Sequence, residues 1–202
     1  MLIKTIPVGH LETNCYVVTD ENTLACALID PGDESNTIMD YLEDNHLKCK
    51  AILLTHGHFD HTGAVAAIAE ETGAQVWLNK RDLCRPGEDE GYRYAAPADC
   101  KFYDEGDCVD VDALHFQVLA TPGHTPGGVC LICGDALFTG DTLFKGSCGR
   151  VDLPGGSAKE EMQSLRKLCM LPGDYEVYPG HMDSSTLERE RSFNYYCREA
   201  MN

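Results

Sequence analysis

The chain has 202 residues, of which 43% are hydrophobic and 24% are charged, and this combination excludes an intrinsically disordered chain and suits one domain with a sizeable core. The formal net charge of −17 would repel a phosphate backbone, so we expect no nucleic-acid partner. No apolar run approaches the ~20 residues that a membrane helix needs, and the N-terminal MLIKTIPVGH lacks the pattern of a signal peptide, so we expect a cytoplasmic protein with no membrane partner.

The first part of the chain predicts three strands followed by strand–helix units. Ser35 is placed to cap a helix, and Gly73 is placed to end one. The apolar run Ala51–Leu54 has the pattern of a buried strand and leads directly into a histidine-rich segment. In chain order, the predicted elements are strands at 2–8, 14–19 and 24–30, a helix at 35–45, a strand at 51–54, a helix at 62–72 and a strand at 74–78.

The second part predicts further strands and two more helices. Residues 84–100 are loop-like, and the sequence leaves open whether they form a lid or a surface connection. Ser157 with Glu160 three residues later is a capping-box pattern. Strands are predicted at 114–120, 127–133, 135–139 and 176–178, and helices at 157–168 and from 185 or 186 to the end. Strands clustered in two groups, each followed by helices, indicate two sheets between outer helices.

The eleven cysteines are expected to be free thiols, because a cytosolic chain keeps its thiols reduced. Cys130 and Cys133 have the spacing of metal ligands, but no second pair follows them. The surrounding GGVCLICGDALF predicts a hairpin. We therefore favour a structural role for this pair over a zinc or redox site.

The segment Thr55–Gly63, THGHFDHTG, places three histidines and an aspartate within six positions, between a buried strand and a helix. His56 and His58 are two residues apart, so their side chains point to the same side of extended backbone. Asp60 and His61 open the next turn and approach from a second direction. One metal ion cannot easily use all four side chains, whereas two ions about 4 Å apart can.

Further metal ligands are expected at other strand ends. His124 lies between two Pro-Gly turns after the strand at 114–120, Asp141 follows the strand ALFT, and His181 follows EVYPG. Loops at strand ends often carry function on a rigid scaffold. These three side chains would complete two metal sites.

These motifs resemble the metallo-β-lactamase superfamily: THGHFDH, TPGHTPG, GDTLF and PGH occur in the order typical of that family. NCYVVTD, LIDPGD and GDTLFKGSCGRVDLPGG are similar to the glyoxalase II branch, the hydroxyacylglutathione hydrolases. The resemblance implies an α/β fold, a four-layer αβ/βα sandwich. It further implies a single domain over residues 1–202, without the C-terminal helical domain that helps full-length glyoxalase II enzymes bind glutathione.

The resemblance also implies the roles of the ligands. One ion would be held by His56, His58 and His124, the other by Asp60, His61 and His181, with Asp141 bridging both. We expect two divalent ions, zinc in the first place, although histidine and carboxylate ligands accept iron and manganese as well.

The implied activity is hydrolysis of a small-molecule acyl thioester of the hydroxyacylglutathione type by a hydroxide that bridges the metals. Asp60 is expected to be catalytic as well as a ligand, because it could orient the attacking water. Arg150 and Lys145 flank the Asp141 loop, and we expect them to bind a substrate carboxylate.

Two departures and two alternatives accompany this interpretation. We expect no C-terminal helical domain, and Met-Asp-Ser-Ser-Thr follows His181 where Gly-Pro is common in the family; both features weaken the case for a glutathione substrate. A persulfide dioxygenase-like iron enzyme shares much of the signature but uses one iron. A non-catalytic binding protein is the other alternative, although no ligand is missing.

Overall fold

A computed structural model describes residues 1–84 and 91–202. The first sheet and its helices comprise β1 (Leu2–Val8), β2 (Thr13–Thr19), β3 (Ala25–Ile29), α1 (Ser35–Asp44), β4 (Lys48–Leu53), α2 (Phe59–Thr62), α3 (Val65–Thr72), β5 (Gln75–Leu78) and β6 (Lys101–Phe102), with a 3-10 turn at Lys80–Asp82. The remaining elements are β7 (Cys108–Val111), β8 (Leu114–Ala120), β9 (Val129–Cys133), β10 (Ala136–Gly140), β11 (Leu143–Phe144), β12 (Ser147–Cys148), α4 (Ala158–Cys169), β13 (Glu176–Pro179), β14 (Ser185–Thr186), α5 (Leu187–Phe193) and α6 (Tyr195–Met201).

Two mixed sheets form the centre of the fold. The first has the strand order β1-β2-β3-β4-β5-β6, antiparallel from β1 to β3 and parallel from β3 to β6. The second has the order β14-β13-β10-β9-β8-β7, and its pairing of β10 with β13 is parallel. The short hairpin of β11 and β12 stands apart from both sheets.

Three hydrophobic clusters divide the molecule into four layers. Ile38 and Ile68, from α1 and α3, pack on the outer face of the first sheet. Phe116 and Phe138 lie in the cluster between the two sheets. Leu165, from α4, belongs to the cluster that covers the outer face of the second sheet. The expected four-layer αβ/βα sandwich is confirmed, and no described helix is long and apolar enough to cross a membrane.

Two predicted helices are each divided in the structure. Of the helix expected at 62–72, α3 covers Val65–Thr72, whereas Thr62 instead ends the short helix α2. The two helices are separated near Gly63, where a Cβ atom would lie 2.3 Å from the carbonyl oxygen of Gly32. The terminal helix is divided at Asn194, whose side chain caps α6 and donates to the carbonyl oxygens of Phe144 and Ser147. Close backbone packing in the first case and a buried side chain in the second end the helical runs.

Other expectations are met locally. Ser157 caps α4 by accepting from the N–H of Glu160, whereas Glu34, in left-handed conformation, precedes α1 in place of a Ser35 cap. All eleven cysteines are free thiols, and Cys130 and Cys133 are buried in β9. The question of a lid at residues 84–100 falls partly on residues 85–90, which lie outside the described residues.

Candidate metal centre

The first group of candidate ligands consists of His56, His58 and His124, all buried. His56 and His58 extend from the loop after β4, and His124 comes from the loop after β8 in the other sheet. One ligand atom from each lies within 4.8 Å of the others. The structure therefore brings together three imidazoles that are up to 68 positions apart in the chain.

The second group consists of Asp60, His61 and His181, whose ligand atoms also lie within 4.8 Å of one another. Asp60 Oδ2 is 3.3 Å from His181 Nε2 and 3.5 Å from His61 Nε2. The short helix α2 presents Asp60 and His61, and the loop after β13 presents His181. Thr13 donates a hydrogen bond to Asp60 Oδ2.

Asp141, after β10, lies between the two groups. Its Oδ1 is 3.4 Å from His61 Nε2, and its Oδ2 is 3.5 Å from His124 Nε2 and 3.6 Å from His181 Nε2. A carboxylate in this position faces both groups at once. Gly180 makes the approach possible, because a Cβ atom there would lie 2.3 Å from Asp141 Oδ1.

The outer nitrogens of His56 and His61 are fixed by a buried carboxylate that we did not predict. Asp30 accepts from His61 Nδ1 at 2.9 Å and from the N–H and hydroxyl of Thr55. Thr55 Oγ1 in turn lies 3.1 Å from His56 Nδ1. Asp30 is bonded to Nδ1 of His61, whereas Nε2 of the same ring faces Asp141, so Asp30 is placed to orient this histidine from outside the centre.

Two further histidines are oriented by backbone carbonyls. His124 Nδ1 donates to the carbonyl oxygen of Arg150 at 2.7 Å, and His181 Nδ1 donates to that of Leu11 at 3.1 Å. A proton on Nδ1 leaves the lone pair of Nε2 directed into the site. Metal-binding histidines characteristically donate their other nitrogen in this way.

Several inward-facing atoms make no hydrogen bond within the described residues. His56 Nε2, His61 Nε2 and Asp141 Oδ1 are buried without a hydrogen bond. Buried polar atoms are normally paired, so each unpaired one requires an explanation. Metal ions would supply the missing partner to all three, and the residues present therefore fit a centre of two ions.

Burial sets the protonation of the first group. Burial and the neighbouring imidazoles hold the pKa of His56 well below its ordinary value. Burial, with His124 and His61, lowers the pKa of His58 to about 4. Both rings are therefore neutral near pH 7, which is the form that binds metal.

The second group favours positive charge. Burial lowers the pKa of His61, but Asp141 and Asp30 outweigh it and hold that pKa well above its ordinary value. Burial raises the pKa of Asp60, but His181 and His61 bring it below its ordinary value, so the carboxylate is ionised. Bound cations would satisfy this electrostatic preference.

A second buried carboxylate that sequence reasoning missed, Asp82, connects the loops of the first group. It accepts from the N–H of Gly57 at 3.1 Å, from Thr125 Oγ1 at 2.6 Å and from the N–H of Gly127 at 2.7 Å. Arg93 Nη1 completes its contacts at 2.8 Å. Gly57 separates His56 from His58 and Thr125 follows His124, so Asp82 fixes the spacing of all three histidines. No local motif signalled this role.

Five of the seven candidate ligands, His58, Asp60, His124, Asp141 and His181, line a cleft of about 620 Å³. Arg150 lies on its wall, and its guanidinium makes two hydrogen bonds to Asp152 at 2.7 and 2.8 Å. Lys145 is paired with Asp183 at 3.0 Å. Both predicted substrate-binding cations therefore already have an exposed acidic partner. The cleft is lined by Leu11, His58, Phe59, Asp60, Gly91, Tyr92, His124, Asp141, Phe144, Ser147, Cys148, Arg150, Leu153, His181 and Met182.

Comparison of the sequence with known proteins identifies one matching family. The model of the Metallo-beta-lactamase superfamily matches residues 8–181. An Aquifex aeolicus protein described as uncharacterized is 40% identical over the full length of both chains. Hydroxyacylglutathione hydrolase GloC of Haemophilus influenzae is 35% identical, over 96% of this chain and 97% of its own.

Solved structures agree with this match. BLEG-1 B3 metallo-beta-lactamase superposes with a TM-score of 0.89 at 32% identity, over 97% of this chain and 99% of that one. TTHA1623 in a di-iron-bound form gives 0.81 at 35% identity, covering 96% and 99%. ETHE1 from Myxococcus xanthus gives 0.85 at 29% identity, covering 100% and 91%.

Proposed function

The chain belongs to the metallo-beta-lactamase superfamily of metal-dependent hydrolases, and we propose that it hydrolyses acyl thioesters at a centre of two metal ions. The observation that carries the proposal is the convergence of two complete ligand groups on Asp141. The similarity to a hydroxyacylglutathione hydrolase over nearly the whole chain supports the thioester as the substrate.

The two ligand groups would hold one ion each, and Asp141 would bind both. Two divalent ions would supply hydroxide at a pH of about 7 and would polarise the carbonyl oxygen of the substrate. The donor set of imidazoles and carboxylates suits zinc, iron and manganese, and we propose zinc.

The protein's own residues would prepare the reaction in three ways. Asp60, ionised and held by Thr13, would accept a hydrogen bond from the attacking water and orient it. The backbone oxygens of Arg150 and Leu11 keep the Nε2 atoms of two histidines directed inward. The Arg150 guanidinium, on the cleft wall, would bind a substrate carboxylate in competition with Asp152.

A thioester suits this arrangement because its leaving group needs little help. A thiol with a pKa of about 8.5 departs as a thiolate without a general acid beside it. The second ligand group distinguishes this proposal from a persulfide dioxygenase, which needs one iron and would leave Asp60, His61 and His181 without a task. All seven expected metal-binding residues are present, which argues against a non-catalytic protein.

The test compares thiol release with oxygen consumption. The metal-free protein is reloaded separately with zinc, iron and manganese and assayed with S-lactoylglutathione and S-acetyl-N-acetylcysteamine. We expect thiol release without oxygen uptake, and a large loss of rate in His181→Ala with an unchanged circular dichroism spectrum. Oxygen uptake with glutathione persulfide by the iron form, and no thioester cleavage by any form, would overturn the proposal.

A further inference from the structure

Three large apolar side chains that line the cleft are exposed. Leu11 is 45% exposed, Phe59 49% and Met182 64%, and all three line the same cavity. They come from separate segments: the loop between β1 and β2, the start of α2, and the loop after β13. Apolar side chains brought together beside a ligand site are typical of a surface that becomes buried when a ligand binds.

Each of these three residues is linked to the second ligand group, either as a neighbour in the chain or by a backbone hydrogen bond. Phe59 directly precedes Asp60, Met182 directly follows His181, and the carbonyl oxygen of Leu11 accepts from His181 Nδ1 at 3.1 Å. Phe144 continues the apolar wall inward, with its ring centroid 6.2 Å from that of His181. Arg150 also lines the cleft, and its carbonyl oxygen accepts from His124 in the first ligand group. The three exposed apolar residues are therefore next to the second group, whereas Arg150 is next to the first.

The backbone of Met182 adds an independent observation. Its φ of +68° lies in the left-handed region, which glycine adopts far more readily than a residue with a Cβ atom. Asn14 holds this conformation by donating from Nδ2 to the carbonyl oxygens of Pro179, at 3.0 Å, and Met182, at 2.9 Å. A methionine here adds backbone strain, and its exposed side chain adds little to the core. Strain of this kind concentrates at functional sites.

We propose that Leu11, Phe59 and Met182 form a subsite for an uncharged apolar chain of the substrate, and that Met182 sets the preference for chain length. The chain belongs to either the acyl or the thiol part of the thioester, since both leave the reacting carbonyl. This inference rests on the proposed function for the identity of the substrate. The apolar subsite can be tested without catalysis, because the affinity for a ligand that is not cleaved measures it directly.

The experiment measures binding of uncleavable analogues by calorimetry with the zinc-loaded protein. In 2-oxoalkyl thioethers of N-acetylcysteamine, a methylene group separates sulfur from the carbonyl. In the first series, the thiol part is N-acetylcysteamine and the 2-oxoalkyl group grows from three to nine carbons. In the second series, the 2-oxopropyl group is fixed and a simple alkanethiol of increasing length replaces N-acetylcysteamine. We expect affinity to rise at least about tenfold with length in one series, and that series identifies which part occupies the subsite.

The decisive variant is Met182→Gly, since glycine is compatible with the left-handed backbone. We expect it to keep two metal ions and an undiminished melting temperature, while the gain in affinity with length falls severalfold. Met170→Ala removes another exposed methionine, 68% exposed at the end of α4, and should keep the full gradient. Flat affinities in both series, or a gradient that Met182→Gly leaves intact, would overturn the inference. Length-dependent binding without thioester cleavage would instead reject the proposed function alone.

Discussion

Replacement of Asp82 gives a specific prediction, because this buried carboxylate contacts the loops of the first ligand group only. Asp82→Ala would remove the acceptor for the N–H groups of Gly57 and Gly127 and for the hydroxyl of Thr125. It would also leave Arg93 without its buried partner. The His56, His58 and His124 loops would lose their common support, whereas the second group would keep Asp30 and Leu11.

The magnitude follows from the contacts. Each buried donor left without a partner costs about 1–3 kcal/mol, and breaking a buried ion pair costs about 3–5 kcal/mol. These contributions are not additive within one network, so we expect the free energy of unfolding to fall by about 3–5 kcal/mol. Loss of a residue that orients metal ligands typically lowers affinity by about 10–100-fold. We expect that loss for one ion only.

Urea denaturation and competition with a coloured chelator measure the two effects. Asp104→Asn is the matched control, because Asp104 is an exposed partner of Arg81 in the same region and surface pairs contribute little. Asp82→Asn keeps the shape and one acceptor, and serves if the alanine variant does not fold. Equal weakening of both ions, or unchanged stability in both Asp82 variants, would refute the reasoning.

Three further predictions concern Asp141, the cleft wall and the C-terminal helices. Asp141→Ala should lower the occupancy of both metal ions, because the two oxygens of Asp141 face both ligand groups. Elemental analysis measures the occupancy, and loss of only one ion per chain would contradict the prediction. Arg150→Ala should raise KM for a carboxylate-bearing thioester with kcat nearly unchanged, since its backbone oxygen still holds His124, while Asp152→Asn should lower that KM by freeing the guanidinium. Burial raises the pKa of Glu190, but hydrogen bonds from Ser185, Gly146, Asn194 and Arg189 lower it overall. The ionised Glu190 carboxylate therefore stabilises the fold fully above a pH of about 4.3, the unfolded pKa, and this stabilisation is lost as the pH falls through the lower pKa of the folded state. Melting curves of Glu190→Gln should show a weaker acid dependence than the parent, and parallel curves would contradict the assignment.

The predicted elements were most accurate where a local pattern reports a local structure. The strand at 2–8 and the helix capped by Ser157 were anticipated because side-chain periodicity and capping act over a few residues. The break between α2 and α3 near Gly63 was missed because its cause is the approach of Gly63 to Gly32, which is 31 residues earlier in the sequence. Helical spacing carries no information on that contact.

The sequence by itself determined which residues could form the centre. The dense THGHFDH segment, with His124, Asp141 and His181 each beside a glycine at a strand end, identified seven candidate ligands because so many donors rarely cluster by chance. The structure brings all seven together, and their metal binding stays a prediction. Only the tertiary structure decided how they are held and what surrounds them. The contacts of Asp30 and Asp82, the pairing of Arg150 with Asp152, and the exposed Met182 on left-handed backbone all depend on where separate loops meet. The packing of the two sheets against each other determines which loops come into contact, and it brings together residues whose spacing in the chain gives no sign of that contact.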